Sequence, residues 1–369
     1  MRRVLLVHQP TDGGVGRHVT DLAIGLQERG FRAVLCGPSR PAGLPSACAH
    51  IQLDLRRSIA PRADPAAVVG LARIVGEVRP ALVHAHSSKA GAIVRLAKSL
   101  HPRIPVVYTP HGYAFAGHFS RELERSAYRE IERVLARLAD RVVCVCEAEA
   151  RLARAVGPAE RVRVVHNGIE PAGVGPVDRR MAELAADGPL VCALTLLRPG
   201  KGIETLIDAL PAVLACEPRT RLAIGGDGPD LQVLRARASR LDVAEAVHFL
   251  GRSADPLSLL RGAQIFVHPS WAESFPYVVL EAMSLGLPIV ASDVGGVGEA
   301  MSAGESGMLV APGDPRALAR ALIELLEDHD RGARMGAAAK LRFEQRFTRT
   351  QMIDGVAGVY EEVIRRTPA

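Results

Sequence analysis

Two glutamates on either side of an apolar run are the strongest chemical signal in the sequence. Glu273 and Glu281 enclose Ser-Phe-Pro-Tyr-Val-Val-Leu, and the run continues after Glu281 as Ala-Met-Ser-Leu-Gly-Leu-Pro-Ile-Val. A carboxylate in such surroundings is costly to bury unless a partner hydrogen-bonds it. We therefore predict that a polar, hydroxyl-rich ligand contacts this segment. The alternative is that Glu273 lies on a surface loop and Glu281 on the solvated face of a helix.

The residues between the two glutamates also offer groups that bind an anion. We expect a loop and the first turn of a helix here, and free backbone N–H groups at such a helix start can bind a diphosphate. Pro276 has no N–H group to give. Farther along the helix, the two acceptor oxygens of Glu281 suit the diol of a ribose. The segment consists of Ser274, Phe275, Pro276, Tyr277 and Val278.

A second candidate anion site is the turn Arg198-Pro-Gly-Lys201-Gly202, between a predicted strand and a predicted helix. A lysine in such a turn neutralises a phosphate as a point charge, beside the N-terminal amides of the helix. Arg198 is near enough in sequence to reach the same anion. Both side chains can instead be solvated loop charges.

Two loops in the first half of the chain also follow predicted strands. The adjacent Gly13 and Gly14 allow backbone N–H groups to approach an anion, although an ordinary strand-to-helix turn has the same pattern. The sequence Thr109-Pro-His-Gly112 places His111 after another strand. His111 can alternatively have its hydrogen bonds satisfied within its loop. The apolar loop 113–119 that follows either joins the core or lines the entrance for an acceptor.

Local signatures of metal and cofactor sites are missing from the sequence. It has no HExxH motif, no P-loop, no GxSxG motif and no Cys and His residues at local metal-ligand spacing. The Asp-x-Asp sequence at Asp328 and Asp330 lies at a predicted helix end. We therefore expect no metal and no cofactor. A bound diphosphate would be neutralised by Lys201, with Arg198 as a second candidate, and by helix N-termini.

Short apolar strands alternate with helical segments along the chain, and this alternation predicts parallel, doubly wound sheets. The predicted domains are an N-terminal Rossmann-like domain at 1–172, a Gly- and Pro-rich linker at 173–188 and a second Rossmann-like domain at 189–345. A C-terminal helix is predicted at 346–369, although Gly355 and Gly358 weaken the expectation that it is a single unbroken helix. The predicted strands are 4–8, 33–36, 81–84, 106–109, 142–145, 162–165, 190–197, 222–225, 246–250, 265–268, 289–291 and 308–310.

Bulk composition is that of a cytoplasmic globular protein. A chain of 369 residues is long enough for two domains. No apolar stretch is long enough to span a membrane, and the first apolar run is too short for a signal peptide. The six cysteines include no CxxC pair, which favours reduced, structural thiols.

Positive charge is concentrated in the first half of the chain. Residues 1–175 hold 25 Lys and Arg against 15 Asp and Glu, whereas the remainder holds 21 against 25. A basic half favours an anionic partner, such as the face of a membrane. Solvated, arginine-rich helix surfaces give the same balance. The basic residues are scattered without interleaved aromatic residues, so we do not expect a nucleic-acid partner.

Taken in order, these motifs resemble the family 4 retaining glycosyltransferases, which have the GT-B fold of two Rossmann-like domains facing each other across a cleft. The resemblance covers nearly the whole chain. It rests on Gly13-Gly14, His84-Ala-His-Ser-Ser-Lys-Ala-Gly91, Thr109-Pro-His-Gly112, Asn167-Gly-Ile-Glu170, Pro199-Gly-Lys-Gly202, Gly226-Asp-Gly-Pro229 and the segment from Glu273 through Glu281 to Gly296.

The resemblance implies that the N-terminal domain serves the acceptor and the C-terminal domain the nucleotide-sugar donor, and that the C-terminal helix crosses back to the N-terminal domain. Gly14 would approach the donor phosphate, and His111 would contact the transferred sugar near the reaction centre. Lys201 would bind the diphosphate and stabilise the leaving group. Glu273 would hold sugar hydroxyls, and Glu281 would bind the ribose. The implied reaction is metal-independent transfer with retained anomeric configuration, achieved by positioning and charge stabilisation.

The implied donor is a UDP-sugar, and the implied acceptor is a glycan, a lipid-linked sugar or another glycoconjugate in surface-polysaccharide assembly. Two positions depart from the family pattern. The family often has arginine where Leu196 stands, and serine where Cys146 stands. Two alternative functions are a nucleotide-sugar epimerase of the same architecture and a non-catalytic module that binds nucleotide sugars.

Overall fold

The computed structural model describes residues 1–11, 13–56, 58–116 and 122–366. Asp12 and residues 117–119 of the loop predicted at 113–119 lie outside these ranges. The chain divides into two compact units, one formed by Met1–Gly168 with Arg349–Ala369 and the other by Ile169–Thr348. The predicted boundaries, after residues 172 and 345, lie close to these divisions.

Parallel strands form the sheet of the first unit, in the order β3-β2-β1-β4-β5-β6-β7. Val4 of β1 pairs with Ala33 on one side and Leu82 on the other, so the strand order reverses at β1. The sequence pattern did not predict β3, because its residues are exposed or half-buried and form no apolar run. The strands are β1 (Arg2–His8), β2 (Phe31–Gly37), β3 (Ala49–Gln52), β4 (Leu82–His86), β5 (Val106–Thr109), β6 (Arg141–Cys144) and β7 (Val162–Val164).

Helices connect these strands, as the alternation of apolar runs and helical segments predicts. Tyr108 of β5 and Ala90 lie in the core between the sheet and its helices. The helices are α1 (Gly13–Gly25), α2 (Ala63–Val78), α3 (Ser88–Ala97), α4 (Glu122–Leu135) and α5 (Glu147–Val156).

The second unit repeats this topology with the strand order β10-β9-β8-β11-β12-β13, again with parallel pairs. Its strand order reverses at β8. Two parallel-sheet α/β domains confirm the predicted fold class. The strands are β8 (Leu190–Leu194), β9 (Arg221–Gly225), β10 (Val247–Gly251), β11 (Ile265–His268), β12 (Ile289–Ser292) and β13 (Met308–Val310).

A helix occupies the end of the range 173–188, where the sequence pattern predicted a linker. Asp178 caps this helix by accepting a hydrogen bond from the backbone N–H of Arg180 at 2.9 Å, and Met181 is fully buried. The helices of the second unit are α6 (Arg179–Asp187), α7 (Ile203–Cys216), α8 (Leu231–Arg240), α9 (Pro256–Leu260), α10 (Tyr277–Leu285), α11 (Val297–Ala300), α12 (Pro315–Glu327) and α13 (His329–Arg346).

The C-terminal helix α14 (Arg349–Arg366) belongs to the first unit. Its apolar face, including Val356 and Tyr360, packs in the same core as β1. The helix is unbroken, although Gly355 and Gly358 weakened that expectation. Gly355 is needed because a Cβ atom there would lie 2.8 Å from Cγ1 of Val165. Within the described ranges, no helix combines the length and apolar character required to cross a membrane.

Candidate functional site

In both sheets, residues that the sequence predicted to bind a ligand follow strands at or next to the point where the strand order reverses. Open α/β sheets bind ligands beyond the C-terminal ends of strands at such a switch point. In the first unit, Gly13 follows β1 and His111 follows β5, the neighbour of β4. In the second unit, Lys201 follows β8 and Glu273 follows the adjacent β11.

Lys201 and Glu273 form an ion pair in the second unit. Nζ of Lys201 lies 2.5 Å from Oε1 of Glu273, and the two side chains are 16% and 15% exposed. Their loops are also joined through the backbone, because the N–H of Trp271 donates to the carbonyl of Gly200 at 2.9 Å. The structure therefore brings together two of the three residues predicted to be catalytic.

Glu273 also contacts His268, the last residue of β11. Nε2 of His268 lies 3.4 Å from Oε1 of Glu273, which is long for a hydrogen bond, so the contact with Lys201 is the closer one. Burial opposes ionisation of Glu273, but the contacts with His268 and Lys201 outweigh burial and lower the pKa of Glu273 to about 2. Glu273 is therefore a carboxylate at neutral pH.

Two glycines after β12 hold the backbone of the Glu273 loop. The N–H of Gly296 donates to the carbonyl of Ser274 at 2.7 Å. Gly295 has a φ of 53°, and a Cβ atom at this position would lie 1.7 Å from the carbonyl oxygen of Glu273. Only glycine fits this close approach without a shift of the loop.

Glycines also surround the turn that carries Lys201. A Cβ atom on Gly202 would lie 1.9 Å from the carbonyl oxygen of Pro269, and one on Gly226 would lie 1.8 Å from that of Thr195. The backbone N–H of Leu197 donates to the carbonyl of Asp227 at 2.9 Å. The segment around Gly226 thus packs against the Lys201 turn and supports it.

The segment after Glu273 contributes mainly backbone. Pro276 caps helix α10, which begins at Tyr277, so the first amides of the helix are those of Tyr277 and Val278. The side chain of Phe275 is buried and packs on Phe347, with ring centroids 5.3 Å apart. Phe275 can therefore act on a ligand only through its backbone.

Glu281 and Arg198 differ sharply in their surroundings. Glu281 is buried within α10 at 8% exposure, in the apolar context that the sequence indicates. Arg198 is exposed and, among the described residues, makes no ion pair. The structure does not bring Arg198 into the Lys201–Glu273 pair.

In the first unit, helix α1 begins at the predicted glycine pair. Gly13 has a φ of 62°, and both Gly13 and Gly14 are exposed. Two residues further on, Gly16 lies so close to Thr11 that a Cβ atom would be 2.3 Å from the Thr11 carbonyl oxygen. The exposed glycine amides are therefore held at the start of a helix, as an anion site requires.

A buried carboxylate fixes the turn that carries His111. Oε1 of Glu149 accepts from the N–H of Gly112 at 2.5 Å, and Oε2 accepts from the N–H of Val145 at 2.9 Å. Burial raises the pKa of Glu149 to about 7, against the opposing effect of these two hydrogen bonds. His111 itself has a φ of 53°, an uncommon conformation for a residue other than glycine.

Cys146 caps α5 in place of the serine found in the family pattern. Its Sγ accepts from the N–H of Glu149 at 3.3 Å. The cysteine therefore keeps the capping position, with a weaker acceptor than a hydroxyl oxygen.

His111 lies among other histidines. Its Nε2 is 3.1 Å from Nδ1 of His86, and its ring centroid is 4.5 Å from that of His18. Burial lowers the pKa of His18 to about 4 and the pKa values of His86 and His111 well below the usual range. These imidazoles are therefore neutral at pH 7.

His84 connects this cluster to the C-terminal helix. Its Nδ1 lies 2.6 Å from the Tyr360 hydroxyl, and its Nε2 lies 2.8 Å from Oγ1 of Thr109. Its ring is 4.0 Å from that of His86, centroid to centroid. Through Tyr360, helix α14 thus contacts His84, whose ring packs against that of His86.

Several residues of the two sites had no role assigned from the sequence. They include His268 at the end of a predicted strand, and His84 and His86 in a quoted motif. A polar residue ending an otherwise apolar strand is a usable signal, because it falls at the ligand-binding edge of the sheet. The full set is His18, His84, His86, Glu149, Gly202, His268, Gly295 and Gly296.

Two doubly wound sheets with polar residues beyond the ends of their central strands match the GT-B architecture of the structural neighbours. The family model Glycosyltransferase Family 4 matches residues 12–172, and Glycosyl transferases group 1 matches residues 177–342. The chain belongs to the family 4 glycosyltransferases, as its motifs indicated.

Characterised relatives agree with this membership. The chain is 31% identical over 288 residues to a glycogen synthase of Mycobacterium tuberculosis, covering 76% of this chain and 69% of the relative. It is 33% identical over 317 residues to a D-inositol 3-phosphate glycosyltransferase of Acidothermus cellulolyticus, covering 78% and 69%. The crystal structure of Anabaena Alr3699/HepE in complex with UDP matches with a TM-score of 0.83, 25% identity and coverage of 98% and 100%.

Proposed function

We propose that this protein is a retaining, metal-independent glycosyltransferase that moves a sugar from a UDP-sugar to a glycan or lipid-linked acceptor. The observation that carries the proposal is the Lys201–Glu273 ion pair at the switch point of the second sheet. It places a cation beside a carboxylate. The cation can bind the diphosphate of a donor, and the carboxylate can accept hydrogen bonds from sugar hydroxyls.

Lys201 binds the donor diphosphate and stabilises the charge that develops on the leaving group. The backbone amides that start α10 add positive potential, and the segment Ser274, Phe275, Pro276, Tyr277 and Val278 forms the cradle. Because Lys201 supplies the positive charge that the diphosphate needs, we propose that the transfer step needs no metal. Glu281 holds the ribose, and Arg198, exposed in the same turn as Lys201, is the second candidate cation for the diphosphate.

Glu273 holds hydroxyls of the transferred sugar and does not act as the base. A carboxylate with a pKa of about 2, bound to a lysine, has little affinity for the proton of an acceptor hydroxyl. This supports a front-face reaction in which the leaving phosphate takes that proton, so the new bond forms on the same face and the configuration is retained.

In the first unit, His111 contacts the transferred sugar as a neutral imidazole, with one nitrogen as donor and one as acceptor. Gly13 and Gly14 offer their exposed amides to the donor phosphate. The turn held by Glu149 fixes the position of His111 before substrate arrives, which lowers the cost of orientation.

Support for the substrates comes from the comparisons and from charge. The Anabaena neighbour binds UDP and UDP-glucose, which favours a UDP-sugar here. The basic first half suits an anionic acceptor, such as a lipid-linked sugar at the cytoplasmic face of a membrane. We therefore place the protein in the cytoplasm, peripherally associated with the membrane, in surface-polysaccharide assembly.

The test is incubation with UDP-, GDP- and ADP-sugars in EDTA, with a panel of acceptors. Acceptor-dependent release of UDP, with a product of the donor's anomeric configuration by NMR, is the expected result. Inverted configuration, or activity abolished by EDTA and restored by a divalent ion, contradicts the mechanism. Sugar interconversion without acceptor indicates an epimerase, and binding without turnover indicates a binding module.

A further inference from the structure

Three imidazoles from separate elements converge in the first unit. His18 belongs to α1, His86 ends β4 and His111 follows β5. One ring nitrogen of each lies within 4.8 Å of those of the other two. The three residues are far apart in sequence, so local ligand spacing could not reveal them.

The distances suit a small transition-metal ion. Zinc binds imidazole nitrogen at about 2.0–2.1 Å, so two nitrogens on one tetrahedral ion lie roughly 3.3 Å apart. Nδ1 of His86 and Nε2 of His111 are 3.1 Å apart. The third imidazole, that of His18, has a ring nitrogen within 4.8 Å of the other two, so it must move closer to complete the set. Three histidines with an open fourth position make a known kind of zinc site.

One ligand of the cluster is already oriented, because the turn held by Glu149 fixes His111. His111 is half-buried while His18 and His86 are buried, so an ion would reach the cluster from the side of His111.

Protein groups alone leave the cluster short of hydrogen bonds. Among the described residues, Nε2 of His86 is buried and has no hydrogen-bond partner, and its Nδ1 has only His111. A buried polar atom without a partner is unusual in a folded protein. A metal ion bound at Nδ1 of His86 would replace the contact with His111 by coordination of both rings, and Nε2 of His86 would then carry the ring proton.

We propose that His18, His86 and His111 form a binding site for a borderline divalent metal such as Zn²⁺, and that the bound ion inhibits transfer. The inhibition rests on the proposed function, because an ion bound to His111 would prevent this imidazole from contacting the sugar. Imidazole prefers Zn²⁺, Ni²⁺ and Cu²⁺, whereas Mg²⁺ and Ca²⁺ prefer oxygen ligands. The site would thus discriminate between the two groups of ions.

The binding test uses the full chain without donor, titrated with Zn²⁺ in a calorimeter. All proteins carry Cys216→Ser, because Cys216 is exposed and a thiol is a competing type of zinc ligand. We expect one Zn²⁺ per chain, and at least about tenfold weaker binding in His86→Gln and His18→Gln. His329→Ala, an exposed histidine outside the cluster, is the matched control and should bind as the parent does. Unchanged binding in both cluster variants overturns the site, and so does binding of Mg²⁺ with equal affinity.

A second measurement remains decisive if the variants fail to fold. Co²⁺ added to the parent protein should give the intense visible bands of a tetrahedral nitrogen site, and Zn²⁺ should remove them. Their absence overturns the proposal. Transfer assayed in EDTA and then with added Zn²⁺ separates the two hypotheses. Zn²⁺ binding without any transferase activity contradicts only the proposed function, whereas activity unaffected by Zn²⁺ contradicts the inhibition.

Discussion

Lys201 donates a 2.5 Å charge-assisted hydrogen bond to Glu273, and this contact joins the loops that follow β8 and β11. The two residues are 72 positions apart in the chain. Each holds the other in place: the carboxylate orients the ammonium, and the ammonium keeps the carboxylate ionised. Both are therefore already positioned when a donor binds.

Lys201→Ala should lower kcat by about 10²–10³-fold, because it removes the cation that stabilises the leaving diphosphate. The loss should appear in kcat more than in KM, since the charge develops in the transition state. Steady-state kinetics with the best donor and acceptor measure it. Lys340→Ala, an exposed lysine in the same unit, is the control. A kcat within about twofold of wild type would refute the role of Lys201.

Gly295→Ala should damage both stability and activity. The new methyl group would meet the carbonyl oxygen of Glu273 at 1.7 Å, so the Glu273 loop must move. Gly304→Ala is the matched control, because Gly304 also has a positive φ, 78°, but has nothing within 4 Å of an added Cβ. Gly304→Ala therefore measures only the cost of placing alanine at a positive φ, about 1–2 kcal/mol. Urea unfolding and kcat should show a larger loss for Gly295→Ala, and equal losses would contradict the packing argument.

Glu149 should make stability depend on pH. Its pKa rises from 4.5 to about 7 on folding, so the native state binds a proton more tightly than the unfolded chain. Its contribution is fully present below pH 4.5 and is lost as pH rises through 7. The unfolding free energy should therefore fall, relative to Glu149→Gln, by at most about 1.4 kcal/mol per pH unit. Urea unfolding between pH 4.5 and 8 measures this difference. Glu147→Gln, at an exposed position in α5, serves as control, and parallel curves for wild type and Glu149→Gln would exclude the effect.

Tyr360→Phe should destabilise the first unit by about 1–3 kcal/mol, because it leaves Nδ1 of the buried His84 without its partner. Thr109→Val removes the partner of Nε2. A neutral imidazole has one donor and one acceptor, so its two hydroxyl partners are linked through the tautomer. A double-mutant cycle by urea unfolding should show coupling of about 0.5–3 kcal/mol. Strict additivity would contradict this linkage.

Much of the fold follows from short-range patterns. Parallel strands are covered on both faces, so they read as continuous apolar runs and are easy to locate. The edge strand β3 is exposed and has no such run, and α6 directly follows a Gly- and Pro-rich stretch that suggested a linker. Gly355 looks like a helix breaker in sequence, but its lack of a side chain lets α14 pack against Val165. Those features depend on neighbours distant in the chain.

In the candidate sites, too, some residues could be predicted from short-range sequence patterns and others could not. Lys201, Glu273 and His111 could be selected from the sequence, because each lies in a polar turn after an apolar strand. Their partners could not be selected, because the contacts between Glu149 and Gly112 and between Gly295 and Glu273 depend on strand order. The exposure of Arg198 likewise depends on how its turn folds.

The placement of α14 in the first unit has a consequence for synthesis on the ribosome. The second unit, Ile169–Thr348, is an insertion within the first, and its two ends meet in a β-bridge between Ile169 and Thr348. The whole insertion is synthesised before α14 is. The first unit must wait for Tyr360, so His84 lacks its phenolic partner throughout elongation of the insertion. Nascent chains should therefore expose the apolar surface that α14 later covers. We expect a chaperone to bind the nascent chain at this surface.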